Sequence, residues 1–298
     1  MKQTILLFTA LWGVLSMSSC GERQIDENVV SVTIEPQRFF AEKIAGDRFI
    51  IKTVVPYGQN PEMYDPTPQQ MVQVSRSRAY LKIGHIPFET AWMPSVKANS
   101  PGLDVFDMSE GMLLIEQHPH DHDHADGEDH CHHSHVGADP HTWSSISGAK
   151  TIAWNTLNAF TSIDKENTEY YWNNYNKLIA LIDSVDMEIK TLVEPLSNRS
   201  FIIYHPSLTY FAREFRLEQL SIEMEGKEPS PSQLKRLIDA SRESGAKVVF
   251  VQQEFDKKNA EVVSNETDCK LVVINPLSYN WDEEIIHIAK SLADGEIN

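Results

Sequence analysis

Short apolar runs alternate with amphipathic stretches along most of the chain. Residues 29–34, 49–55 and 79–83 have the run length and composition of strands. Residues 36–45, 68–76 and 87–97 follow them with helical spacing, and each begins at or next to a proline, which is favoured in a first helical turn. The same alternation resumes in the second half. Strands are predicted over 201–204, 247–252 and 271–275, and helices over 208–215, 232–244, 257–266 and 282–293. Strand–helix alternation of this kind favours parallel sheets with helices on both faces, so each half is expected to form an α/β lobe.

Between the halves, residues 144–160 and 167–197 read as helices. The second carries Tyr171, Tyr175, Leu178, Ile182, Val185, Ile189, Leu192 and Leu196 at alternating steps of four and three, which places them on one stripe. At about 1.5 Å per residue such a helix reaches from one lobe to the other. Two tyrosines in the seam make a coiled coil the poorer match. The expected organisation is a first lobe over 29–143, a helical region over 144–198 and a second lobe over 199–298.

The amino terminus belongs to neither lobe. Lys2 precedes an apolar stretch from Ile5 to Leu15, too short to span a bilayer, and the segment ends Ser18-Ser19-Cys20-Gly21. Residues 1–19 are therefore expected to be a secretory signal. The ending resembles a bacterial lipoprotein signal with Cys20 as the lipidated residue, although Met17 stands where leucine is usual. Residues 20–28 would be a tether, and the mature protein would sit on the cell envelope.

Composition narrows the function. With 43 acidic against 26 basic side chains the formal charge is −17, which disfavours nucleic acid and anionic small substrates and favours cations. Three cysteines provide no disulfide framework. Twelve histidines are more informative, because eight fall between His118 and His135, interleaved with Asp, Glu and a cysteine in a low-complexity loop over 116–137. Imidazole among carboxylates suits Zn²⁺. Outside the loop, His85 and His205 each follow a strand, where ligands of open α/β sheets collect, and His141 lies in Asp139-Pro140-His141-Thr142-Trp143. His287 falls within the last helix and reads as structural. No zinc-protease helix, nucleophile elbow or phosphate loop is present in the sequence.

The ordered set YGQNPEMYDPTP at 57–68, DPHTW at 139–143, YHPS at 204–207 with YFA at 210–212, EPSPSQL at 228–234, VFVQ at 249–252 and NPL at 275–277 resembles the metal-binding proteins of zinc and manganese ABC importers. The histidine-rich insertion is similar to that of the zinc branch. The resemblance implies two α/β lobes joined by a rigid helix, one metal in the cleft between them, delivery of that metal to a membrane permease, and no catalysis. It carries His141 and His205 over as ligands. It also marks two departures: Glu62 replaces the usual first histidine, and Asn275 the usual fourth-position aspartate. Two imidazoles and one carboxylate hold zinc with an open position. His85, at a strand end of the same lobe as Glu62, is expected to restore the missing imidazole.

The resulting reading is a monomeric envelope lipoprotein that captures Zn²⁺ for an importer, with Mn²⁺ the lesser candidate. A zinc-storage or chaperone lipoprotein is the rival. A metalloenzyme would need a general base, for which Glu62 is the available residue.

Overall fold

The computed structural model describes residues 25–117, 137–223 and 227–297. The signal segment with Cys20 and the histidine-rich stretch 118–135 lie outside the described residues. Among the described residues, no helix is long and apolar enough to cross a membrane.

The first half forms β1 (Asp26–Val32), α1 (Glu35–Ala45), β2 (Ile50–Thr53), α2 (Pro68–Arg76), β3 (Ser77–Lys82), α3 (Pro87–Asn99) and β4 (Asp104–Asp107). The strands are parallel in the order β2-β1-β3-β4. Proline occupies the first turn of all three helices, and Thr67 and Gln70 close a capping box on α2. β1 starts at Asp26, so residues 26–28 are strand rather than tether, and Asp26 pairs with Ser77.

A two-residue ribbon, β5 (Glu116–Gln117) with β6 (Gly137–Ala138), brackets the histidine-rich insertion. Then come α4 (Ile146–Ile163) and α5 (Thr168–Val193). The second half forms β7 (Ser200–Ile203), α6 (Thr209–Phe215), β8 (Glu218–Ser221), α7 (Pro231–Ser244), β9 (Val248–Gln252), α8 (Lys258–Thr267), β10 (Lys270–Ile274) and α9 (Trp281–Ile297). Its strands are parallel in the order β10-β9-β7-β8. The expected architecture of two parallel sheets, each flanked by helices, with one long helix between them, is the one observed.

The 26 residues of α5 span roughly 39 Å. Tyr171, Leu178, Ile182, Val185 and Ile189 are buried along its stripe, with Tyr175 and Leu192 half-buried. The helix stops at Val193, so Leu196 lies beyond it and Val193 takes the last buried position. α5 packs on α1, α4 and α9, which makes one hydrophobic core continuous between the sheets. That core runs from Val30 and Leu81 through Phe160, Ile182 and Ile189 to Phe201, Phe250 and Ile285. Each such fully buried side chain contributes roughly 1.5–3 kcal/mol. On β7 and β9 the two-residue period of a strand divides the side chains. Phe201, Ile203 and Phe250 enter the shared core, while Ile202, Val249 and Val251 face a second cluster with Ala260 and Val263.

β4 and β8 are absent from the sequence expectation. Both are four-residue edge strands with polar ends, DVFD and EQLS, and edge strands carry the weakest apolar signal.

Candidate metal centre

Three loops bring side chains to the region between the sheets. His205 lies two residues past β7. Buried Gln252, the last residue of β9, fixes that turn: its Nε2 donates to the His205 carbonyl at 2.6 Å and to Ser207 Oγ at 2.8 Å. The His205 ring stacks on Phe255 at 5.3 Å between centroids. His141 follows β6 and enters a 3-10 turn over Thr142–Ser144. Asp139 Oδ1 accepts from both the His141 backbone N–H at 2.9 Å and its Nδ1 at 2.8 Å. Tyr210 OH in turn donates to the Asp139 carbonyl at 2.8 Å. Glu62 lies in the long loop between β2 and α2, its backbone N–H held by Asn60 Oδ1 at 2.9 Å.

The side chains converge. His141 Nε2 and His205 Nε2 are 3.3 Å apart. Glu62 Oε1 is 3.1 Å from the first and 3.4 Å from the second, in neither case with hydrogen-bond geometry. Both imidazoles are buried and Glu62 is half-buried.

The far side of each ring decides what the near side does. His205 Nδ1 meets Glu223 Oε2 at 3.1 Å, as His141 Nδ1 meets Asp139. An ionised carboxylate only accepts, so both Nδ1 atoms carry a proton, and each ring in its neutral form presents an Nε2 lone pair to the same point. Two lone pairs and a carboxylate oxygen aimed at one point suit a cation.

The electrostatics favour positive charge at that point, so a proton held there in the empty site must leave when a cation enters. Burial pushes the Glu62 carboxyl up, but the neighbouring imidazoles, His141 first, outweigh it and hold it below the ordinary glutamate value. Asp139 is likewise held low against its burial, chiefly by His141. Burial pulls His205 down, yet the hydrogen bond to Glu223 and the carboxylate of Glu62 together push it up to about 10.

The structure does not bring His85 to this cluster. β3 ends against the buried carboxylate of Glu89, which accepts from the backbone N–H of Ile83 at 2.9 Å and of Gly84 at 2.8 Å. The chain then turns through two residues of positive φ, Gly84 at 90° and His85 at 65°, and His85 is left exposed. A Cβ on Gly84 would come within 2.5 Å of Ser109 Oγ, so the turn requires glycine there. Asn275, after β10, has a buried Oδ1 without a hydrogen-bond partner, while its backbone N–H reaches Glu284 Oε1 at 2.7 Å. His287 is exposed on α9.

Asp139 and Glu223, which orient the imidazoles, were not singled out from the sequence. Asp139 had a local signal, standing two residues before His141. Glu223 had none, because only the pairing of β7 with β8 brings it beside His205.

The family model described as zinc-uptake complex component A, periplasmic, matches residues 30–293. The high-affinity zinc uptake system protein ZnuA of Bacillus subtilis is 28% identical over 282 residues, 93% of this chain and 87% of that protein. The manganese ABC transporter substrate-binding lipoprotein PsaA of Streptococcus mitis is 23% identical, covering 90% and 87%. A crystal structure of ZnuA superposes with a TM-score of 0.80 at 31% identity, covering 90% of this chain and 99% of that one.

Proposed function

The chain belongs to the family of periplasmic zinc-uptake components, solute-binding parts of transport systems rather than enzymes, and from that premise we propose that it captures Zn²⁺ between its sheets and hands it to an ABC importer permease. One observation carries the reading: the Nε2 atoms of His141 and His205 and a carboxylate oxygen of Glu62 meet within hydrogen-bonding distances, with both rings held from behind by carboxylates. Two neutral imidazoles and one carboxylate make a zinc donor set with a position left open, which suits an ion that must be released. The cation competes with protons for the same lone pairs, so capture releases protons. In this reading Cys20 bears the lipid that holds the protein at the membrane, a role consistent with the lipoprotein name of the PsaA relative.

Manganese is the second reading, favoured by the oxygen donor at residue 62 and by the manganese-transporter name of that same relative. Calorimetry with Zn²⁺ and Mn²⁺ on the purified protein tests the proposal. One tight Zn²⁺ site, lost in His141→Ala and in His205→Ala, is the expected result. Wild-type affinity in either variant overturns the assignment. Transport of Zn²⁺ by a reconstituted permease only when the binding protein is supplied separates import from storage.

A further inference from the structure

The loop after β9 carries a carboxylate that the site described above does not use. β9 lies between β7, which leads to His205, and β10, which leads to Asn275. Ile203 pairs with Phe250 and Ile274 with Gln252, so the segment just beyond Gln252 emerges between those two loops. Its residues touch both halves of the centre. Gln253 Oε1 accepts from Tyr57 OH at 3.0 Å, which ties it to the loop that carries Glu62. Phe255 stacks on the His205 ring.

Glu254 sits between those two contacts. Its Oε2 is buried and has no hydrogen-bond partner. Burial raises its pKa, and His205 and His141 act in the opposite sense. Its carboxylate lies outside the group of Glu62, His141 and His205, whose donor atoms fall within 4.8 Å of one another, so it would have to turn inward to meet an ion there. A buried carboxylate oxygen without a donor is unfavourable unless a cation meets it. Glu62 Oε1 and Asn275 Oδ1 are in the same condition on neighbouring loops. Three buried acceptor oxygens without donors thus accompany two imidazole lone pairs.

We infer that Glu254 is a metal ligand contributed by the second sheet, completing a set of two imidazoles and two carboxylates with Glu62. The inference rests on the metal-binding reading above. Two carboxylates among the donors would balance the charge of the divalent ion they touch. Added carboxylate character moves preference toward oxygen-loving ions, so Glu254 governs how far Mn²⁺ competes with Zn²⁺.

The test uses the full mature chain and Glu254→Gln, which keeps the shape and removes the charge. Calorimetry with Zn²⁺ and with Mn²⁺ gives the affinities, and the visible spectrum of the Co²⁺-loaded protein reports the coordination. The expected result is at least a tenfold loss for Mn²⁺, a smaller loss for Zn²⁺, and an altered Co²⁺ spectrum. The metal-free melting temperature should not fall, which separates ligand loss from a damaged fold. Wild-type affinities for both ions overturn the inference. So does an equal loss for both ions with an unchanged Co²⁺ spectrum, which marks a field effect without ligation. If Glu254→Gln behaves as wild type while His141→Ala loses metal, the centre stands without Glu254. If the wild-type protein takes up neither ion, both readings fall.

Discussion

Trp281 donates its indole N–H to the backbone carbonyl of Trp143 across 2.8 Å, and Trp143 sends its own indole N–H back to the carbonyl of Pro276 at 2.9 Å. Both rings are almost fully buried. Trp143 is two residues past His141, so α9 fixes the turn on which one imidazole rides. Trp281→Phe keeps a ring against Phe40 but leaves a buried carbonyl without its donor. We expect a loss of about 1–3 kcal/mol in urea unfolding, with weaker zinc binding by calorimetry. Unchanged stability would show that the exchange of hydrogen bonds contributes nothing.

Asp139 and Glu223 fix the tautomer and the aim of the two imidazoles. Asp139→Asn and Glu223→Gln retain size but offer an amide that can turn either group to Nδ1. Each should weaken zinc binding about 10–100-fold while leaving all three metal donors in place. X-ray absorption of the loaded variants should still count two imidazoles, and a spectrum with one would show that the carboxylate holds the ring in place altogether.

Glu62 and His85 now separate. Glu62→Gln removes the only carboxylate in the cluster of three and should cost zinc binding more than tenfold. His85→Ala should bind like wild type, because the side chain is exposed and outside the cluster. A His85→Ala protein as impaired as His141→Ala would restore the compensation first expected from the sequence.

Glu89 offers a pH test at the carboxyl ends of β1 and β3. It is wholly buried against Thr33 and Tyr80 at the ends of β1 and β3, and burial raises its pKa despite the donors around it. The folded protein therefore holds a proton that the unfolded chain has released once the pH passes the ordinary glutamate value. Its contribution to stability is complete below about 4.3 and declines as pH rises toward the folded-state pKa. Glu89→Gln cannot titrate. The stability of the wild type relative to this variant should therefore decrease from pH 5 to pH 8 in parallel urea titrations. A constant difference would show that Glu89 is ionised throughout.

Most of the architecture was readable from pattern alone, and the reason is local. Prolines at 36, 68 and 87 mark helix starts, and the stripe on α5 has only one helical solution. The edge strands β4 and β8 escaped because an edge needs few apolar residues. His141 and His205 were readable because each follows a strand or a short motif that brings it to a sheet end. His85 looked equivalent to them. Two positive-φ residues and the Glu89 plug turn it away, and neither is visible as a one-dimensional signal. Glu223 escaped for the opposite reason, since only strand order brings it beside His205.

The unbroken core between the sheets has a consequence for how such a molecule is recognised. Two halves that share packed side chains, and that are joined by a helix buried along one stripe, cannot swing apart without exposing Ile182, Ile189 and their neighbours to water. A shared core of this kind resists a large change of outline on metal loading. A membrane partner that distinguishes empty from loaded forms must sense the mouth, where Tyr57 and Met63 project from the loop that carries Glu62, rather than the angle between two halves. In the proposed import reading, a few loop residues would carry the message that cargo has arrived.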